Sequence, residues 1–485
     1  MQRQWEFVID FDRQASVPPF LQIARKIADD IRRGRLRPSD RVPSSRALAS
    51  TLRVHRNTVL AAYAELIAEG WLETAHGRGT FVAATIPEIA TKRGRATAAP
   101  ARTVLELPDA PPAYRPPVLP RGTLNLSSGS PDVRLVPARL LGRAYRRVLA
   151  TRAKDVLSYG DPEGYPALRA ALASMLAINR GLSVTANDVF VTRGSQLALS
   201  LVARALLRPR DVVAVEQWGY RPAWEAFRAA GATVVPVPVD GDGIDVDALR
   251  RLSERHRLRA VYVTPHHQYP TTITLKAARR IELLAMAQER KFAIVEDDYD
   301  HEFHYDGRPV LPLASSDRAG VVVYVGTLSK ILAPGIRVGY IVAPPPLMSR
   351  IAAIRSLLDI QGDLATEAAV AQLIDDGELQ RHVARVRRDY ARRRDTLADA
   401  LTDALGDVVE FTVPPGGMAI WIRFHRSASD VEQWARRSLE RGLSWYPGRR
   451  YAFDQLPKPF ARFSFAHLNE RELVEAVKRL AAARV

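Results

Sequence analysis

The sequence contains no cysteine. Disulfides, thiolate nucleophiles and cysteine-ligated zinc are therefore excluded, although the absence fixes no compartment. Acidic side chains are in deficit. Lys and Arg number 70 against 53 Asp and Glu, a formal net charge of +17. That favours an acidic partner, nucleic acid first, while an Arg-rich and Ala-rich composition can give the same sum. No uncharged apolar run reaches membrane-spanning length, so no membrane partner is expected. The opening residues Met1 to Glu6 lack an apolar core followed by a cleavage site. No signal peptide is expected, and the expected location is cytoplasmic. Internal repeats are absent and no metal site is assigned. What is present is ordinary globular material: 485 residues, 47% hydrophobic and 25% charged, enough for two or three domains.

Residues 14–84 read as one unit. Phe20, Ile23, Ala24, Ile27 and Ile31 recur at helical spacing, with Arg25, Lys26, Asp29 and Arg32 opposite, and Gly34 as a stop. Ser44 can cap a second helix that turns Leu48 and Leu52 inward. A third helix should start near His55, burying Val59, Tyr63, Leu66 and Ile67. Trp71 to Val82 then reads as a hairpin around His76-Gly77-Arg78-Gly79. Three helices and a β-wing suit duplex DNA, with the start of the third helix toward base edges. Arg56, Asn57 and Thr58 stand at that start: Arg suits guanine, Asn adenine, and Thr a phosphate or a thymine methyl. Between Arg25 and Arg56 there are ten Lys or Arg against three Asp, an excess suited to phosphates. The wing tip His76-Gly77 could lie in a minor groove. A small protein-docking bundle with a basic surface fits the periodicity as well.

Residues 85–122 are rich in Ala, Pro, Arg and Thr, with Pro111-Pro112 and Pro116-Pro117, and read as a linker. Residues 123–485 alternate apolar runs with helical stretches. Val189–Thr192, Val212–Val215, Val234–Val237, Ala260–Thr264, Ala293–Glu296 and Val321–Val325 are strand candidates for a buried, mostly parallel sheet. A long Arg-rich helix around 378–404 keeps Val383, Val386, Tyr390 and Leu397 inward, its arginines reading as a solvated face. A smaller α+β lobe follows, with strands at Ala419–Phe424 and Arg462–Phe465.

The chemistry-bearing residues gather at strand ends, where open parallel sheets collect ligands. Lys330 follows strand Val321–Val325 through a Gly-Thr-Leu-Ser turn. Its amine can form a Schiff base with an aldehyde. Asp297 ends strand Ala293–Glu296 and can keep a pyridine nitrogen protonated. Gly194-Ser195-Gln196 links a strand to a helix and makes a phosphate cup, to which Thr327, Ser329 and Arg337 add donors. Singly each is a weak signal. Jointly they describe a pocket for pyridoxal 5'-phosphate.

Two resemblances sharpen this reading. The head is similar to the winged helix of GntR-family bacterial regulators through Gly34-Arg35-Leu36, Val42-Pro43-Ser44-Ser45-Arg46, Val54-His55-Arg56-Asn57-Thr58-Val59 and Gly77-Arg78-Gly79-Thr80-Phe81-Val82. The likeness implies that Arg46, Arg56, Thr58, His76 and Gly77 face DNA. Ser39 replaces a usual Gly and His55 a usual Ser, which puts the cap of the third helix in doubt. Residues 123–485 resemble fold-type I aminotransferases through Tyr159-Gly160-Asp161-Pro162, Gly164, Leu168, Arg169 and Gly326 to Pro344. That likeness implies Lys330 as the Schiff-base lysine and Asp297 as the pyridine partner. Tyr299 would contact the phenolic oxygen, and Tyr220 would stack on the ring. Ser195, Gln196, Thr327, Ser329 and Arg337 would bind phosphate. Tyr159 would reach the phosphate of a neighbouring subunit, and Arg462 would clamp a ligand carboxylate. One departure stands out. In Pro265-His266-His267-Gln268-Tyr269-Pro270-Thr271-Thr272 the usual Asn is Tyr269 and the usual Gly is Thr272, which puts efficient transamination in doubt.

Head and body together resemble MocR-type regulators. The expected fold is multi-domain: an N-terminal winged helix-turn-helix (α+β), then an α/β PLP-dependent transferase domain of fold type I with a C-terminal α+β lobe. The expected function is a transcriptional regulator, rather than an enzyme, that senses pyridoxal phosphate or an amino compound. The expected assembly is a homodimer on an operator with paired half-sites. The alternative is a working aminotransferase that carries an accessory head.

Overall fold

The computed structural model describes residues 17–75, 77–86, 118–127, 129–307 and 309–484. It divides into two compact units, Met1–Asp109 and Ala110–Val485. Most of the expected linker, 87–117, lies outside the described residues, as does His76.

In the first unit, helices Pro19–Arg32, Ser45–Leu52 and Arg56–Ala68 pack around Ile23, Ile27, Leu48, Val59 and Leu66. Each helix begins where the local chemistry allows. Pro19 opens the first at a position that needs no N–H donor. Ser44 caps the second by accepting from Ala47 N–H at 3.2 Å. His55 caps the third through its ring, Nδ1 accepting from Asn57 N–H at 3.2 Å, so histidine replaces the usual hydroxyl without loss of the cap. The wing pairs Leu72–Ala75 antiparallel with Gly79–Val82. Ile67 was expected inside but is 37% exposed. The helix turns Ala62, Tyr63 and Leu66 into the core instead and leaves Ile67 at its margin.

The second unit is built on a seven-stranded sheet. Its order is Val189–Thr192, Gly339–Val342, Val322–Thr327, Ala293–Asp298, Leu258–Val263, Val212–Glu216 and Thr233–Val237. The strand Gly339–Val342, not foreseen as a separate element, runs antiparallel to both neighbours, and the other pairings are parallel. Apolar clusters cover the sheet on both faces, which is why its strands read as continuous apolar runs. The C-terminal lobe is a three-stranded antiparallel sheet of Val409–Phe411, Ala419–Phe424 and Phe460–Ser464. No helix among the described residues is long and apolar enough to cross a membrane.

The helix Glu378–Leu405 corrects one expectation. Several of its arginines are solvated, but Arg393 and Arg394 are buried. Arg393 donates to Asp132 Oδ2 and to Ala466 O, each at 3.0 Å. Arg394 donates to Pro414 O at 3.0 Å. Carbonyls and a carboxylate inside the lobe junction recruit these guanidiniums, which helical charge periodicity alone does not reveal. Arg393→Ala leaves Asp132 short of its buried partner and should lower stability by about 3 kcal/mol, measured as a shift in the denaturant midpoint at unchanged slope.

Candidate cofactor site and DNA-reading surface

The parallel pairing of Ala293–Asp298 with Val322–Thr327 sets Asp297 opposite Val325. The turn that follows Thr327 then delivers Lys330. Both side chains line a cavity of about 930 Å³, together with Ser195, Gln196, Tyr220, Tyr299, Arg337 and Arg462. Most of the expected site is thus brought to one opening. Thr327 and Ser329 are not. Their segment spends its hydrogen bonds on its own turn: Thr327 Oγ1 donates to Val338 O at 3.3 Å and accepts from Ser329 N–H at 3.1 Å. Neither residue lines the cavity as it stands, and their assignment as phosphate donors rests on the family likeness.

Asp297 is 6% exposed. Its Oδ2 accepts from the Tyr262 hydroxyl at 2.7 Å, while Oδ1 has no partner among the described residues. Burial pushes the carboxyl up to about 6, and the Tyr262 hydrogen bond pulls partly against it. Above that pH it is an anion with one oxygen still unsatisfied, which suits a pyridinium N–H. Lys330 Nζ donates to Gly129 O at 2.8 Å. Burial, then the nearby Arg462 charge, lowers this amine to about 8.

The phosphate end is made by backbone. Helix Ser195–Leu206 starts at Gly194, without a side-chain cap, so its first N–H groups remain available. Gly194 sits at φ +81°, and a Cβ there would lie 2.9 Å from Arg337 Nη2. Arg337 in turn donates to Arg193 O at 2.8 Å. Gln196 uses its amide on Pro222 O at 2.9 Å, so its contribution to the cup is its main-chain N–H.

Aromatic rings wall the rest. Tyr220 and Tyr299 each meet Tyr269 edge-on, with centroids at 5.8 and 6.1 Å. The Tyr299 hydroxyl donates to His267 O at 3.0 Å. Tyr269, in the position where Asn was usual, is fixed by a small network: its N–H donates to Thr264 Oγ1 at 2.9 Å, and that hydroxyl donates to Glu216 at 2.9 Å. The Arg462 guanidinium carbon lies 5.0 Å from the Tyr269 centroid. Arg462 is 2% exposed, and its Nε and Nη1 have no hydrogen-bond partner among the described residues. Gly129 separates the two cations: a Cβ there would stand 3.9 Å from Arg462 Nη1 and 4.0 Å from Lys330 Nζ. Tyr262, Tyr451 and Arg450 also line the cavity and were not foreseen. A tyrosine inside the apolar strand Leu258–Val263, beside the strand of Asp297, was the one readable signal among them. Tyr159 is 83% exposed and does not line the cavity.

In the first unit Arg46, Arg56, Asn57 and Gly77 are exposed and Thr58 is half-buried. Arg56 is the first residue of its helix, and its Nε donates to Ser45 Oγ at 3.3 Å. That bond holds the guanidinium between two helix starts, where the positive ends of both dipoles favour phosphate. Gly79, at φ +116°, leaves room for Arg41, whose Nε would lie 3.0 Å from a Cβ there. A third cation is thereby laid along the wing.

Comparison with known proteins agrees with both halves. The profile of the bacterial regulatory proteins of the gntR family matches residues 19–82, and that of aminotransferase class I and II matches 121–480. The chain is 33% identical over 475 residues to the probable rhizopine catabolism regulatory protein MocR of Rhizobium meliloti, covering 97% of this chain and 95% of that one. The chain belongs to the MocR-type regulators. It is also 33% identical to the pyridoxine biosynthesis transcriptional regulator PdxR of Corynebacterium glutamicum, over 79% of this chain and 78% of that one. Among solved structures, the α-aminoadipate aminotransferase LysN of Thermus thermophilus is similar with a TM-score of 0.70 and 31% identity, covering 75% of this chain and 92% of that one. This MocR-type chain accordingly has a DNA-binding gntR head and an aminotransferase-like body whose cofactor is pyridoxal 5'-phosphate. The orphaned Asp297 oxygen, the half-buried Lys330 amine and the Gly194 cup fit that group.

The Lys330 amine reacts only when neutral. Because burial depresses its ammonium to about 8, uptake of pyridoxal phosphate by the cofactor-free protein should rise with pH and level off above about 8, instead of climbing to about 10 as for a free lysine. Stopped-flow absorbance across that range checks this, and a rate still climbing at the upper end contradicts it.

Proposed function

We propose that this regulator senses an amino acid at the body and reports it as altered grip on DNA. The observation that carries this reading is Arg462: a buried guanidinium with two unsatisfied nitrogens, facing the same glycine-lined gap as Lys330. An amine that also bears a carboxylate fits between them.

When bound, pyridoxal phosphate supplies an aldehyde that joins reversibly to a primary amine. Around it, Lys330 anchors the cofactor, and Gly129 O is placed to take the lysine amine whenever it is not engaged. Asp297 would hold the proton at the pyridine nitrogen, Tyr299 would face the phenolic oxygen, and Tyr220 would cover the ring. Ser195, Gln196, Thr327, Ser329 and Arg337 would hold the phosphate. Arg462 selects ligands that carry a carboxylate. Such a ligand changes DNA affinity only to the extent that it binds two poses of the protein unequally.

The working assembly in this reading is a homodimer that places two heads on paired half-sites. Supporting it, the segment of Tyr159 is tied to Gln361, which donates to Ser158 O at 3.4 Å. Around this tie Leu157, Leu357, Leu358 and Ile360 are all exposed. An apolar face of that kind suits a second copy, and it would carry Tyr159 to the phosphate of the neighbouring subunit. In the head, Arg46, Arg56, Asn57, Thr58, His76 and Gly77 are assigned to the duplex. The domain limits 14–84, 85–122 and 123–485 are kept as the working division.

A second reading, slow transamination, is favoured by one observation: Lys330, Asp297 and Arg462 all line the cavity. Steady conversion of an amino donor and a keto acid would establish it alongside regulation.

Two outcomes are expected. Arg56→Ala should weaken binding to the promoter of a neighbouring gene by at least about tenfold, with cofactor absorbance unchanged, in a gel-shift or fluorescence titration. Arg462→Met should keep the cofactor but lower affinity for the responding amino acid by about tenfold or more, the loss of about 1.5–3 kcal/mol in charge-assisted hydrogen bonds, read by calorimetry.

A further inference from the structure

Four of the ten histidines, His266, His267, His301 and His304, meet in one place outside the cofactor cavity. The fold explains how. His266 and His267 follow strand Leu258–Val263, while His301 and His304 follow strand Ala293–Asp298. Those strands are parallel neighbours, with Ala260 opposite Ala293, so their exits lie side by side.

The cluster has the properties of a ligand set. His266 and His267 are 5% and 1% exposed. Both ring nitrogens of His266, Nε2 of His267 and Nδ1 of His304 are buried without a hydrogen-bond partner among the described residues. Buried polar atoms are rarely left so, and each such case asks for an unseen partner. One ring nitrogen from each of His266, His267 and His304 falls within 4.8 Å of the others. Nitrogens bound at about 2.0–2.1 Å to one ion can be at most about 4.2 Å apart, so small rotations of the rings close the set. The ring of His267 is already oriented as a ligand, because its Nδ1 meets Asp300 Oδ1 at 2.8 Å. That is the carboxylate–imidazole arrangement that fixes metal-binding histidines. Glycine at 416 lets the backbone pass close to that ring without a clash, since a Cβ there would stand 2.4 Å from His267 Nε2. His301 stacks on His266 with centroids 4.3 Å apart and supports it from behind.

We infer that His266, His267 and His304 form a binding site for a divalent transition-metal ion, with zinc the best match. Imidazole nitrogens without thiolates suit zinc, copper and nickel rather than magnesium or calcium, and zinc accepts a three-histidine set with a further position left for water. The site was not expected from the sequence, where no metal was assigned. Its consequence is mechanical. The ion would tie the segment that carries Tyr269 to the one that carries Tyr299, whose hydroxyl already donates to His267 O at 3.0 Å. It would thereby stiffen one wall of the cofactor cavity. The inference stands on the cluster itself and is independent of the sensing role, because its assays need neither amino acid nor DNA.

The test uses untagged full-length protein. After incubation with zinc chloride and desalting, elemental analysis should find about one zinc per chain. Zinc, and not magnesium, should raise the thermal midpoint. His304→Ala, at a half-buried position, should lose both effects, and cobalt(II) should give visible absorption bands in the native chain that this variant lacks. Asp300→Asn, which leaves all three imidazoles in place, should weaken zinc binding by about 10- to 100-fold. Failure of the native chain to retain zinc, or equal retention by a folded His304→Ala protein, overturns the site.

Discussion

Two neighbouring parallel strands that end together govern this molecule. With Ala293–Asp298 paired to Val322–Thr327 in the observed register, Asp297 and Lys330 enter one cavity from the same edge of the sheet. A shift of one residue would turn Asp297 to the opposite face of the sheet. The antiparallel strand Gly339–Val342 then brings the Arg337 turn against Gly194, with Gly339 so close that a Cβ would lie 2.6 Å from the Gly194 carbonyl carbon. The anion cup, the carboxylate and the amine are therefore set by backbone pairing before any side chain chooses a rotamer. The apolar clusters on both faces of the sheet keep that pairing in place.

The legible parts were those with a short-range signature. Apolar runs located six of the seven strands of the sheet, and helical spacing located the three helices of the head. Lys330 and Asp297 could be proposed because each stands at a strand end or in the turn that follows it; Arg462, in the middle of strand Phe460–Ser464, was proposed from the family likeness alone. The seventh strand was hidden inside the Gly326 to Pro344 stretch, where two turns follow in quick succession. What could not be read depends on which distant segments touch. Nothing local distinguishes Arg393 from the solvated arginines of its helix; its fate is decided by Asp132 and Ala466 O, far away in sequence. Likewise the turn that presents Lys330 is held by the Thr327 hydroxyl, which donates to Val338 O and accepts from Ser329 N–H, a use that residue type alone does not show.

The histidines show the same limit from the other side. Adjacent His266-His267 and the pair His301, His304 are unremarkable as separate strings. Their meaning arises only when parallel strands place the two strings together. One fold rule thus produces both the cofactor pocket and the cluster beside it. The Tyr299–His267 hydrogen bond joins them, so rigidity at the cluster and order at the phenolic end of the pocket are coupled by a single short path.

The electrostatics of the cavity argue for ligand control. Half-buried Lys330 and buried Arg462 are neighbouring cations, and each raises the cost of the other, which is part of why the lysine amine is depressed to about 8. Asp297 is a buried anion whose carboxyl is raised to about 6. These charges do not pair with one another in the observed geometry; the Lys330 amine rests on a neutral carbonyl. A protein held together for stability alone would pair or remove such groups. A bound anion at the Gly194 cup and a pyridinium at Asp297 would each meet a group of opposite demand, so the folded body should gain stability as pyridoxal phosphate binds. A body that its cofactor would stabilise, joined to a head that reads DNA, has the physical means to convert small-molecule supply into promoter occupancy.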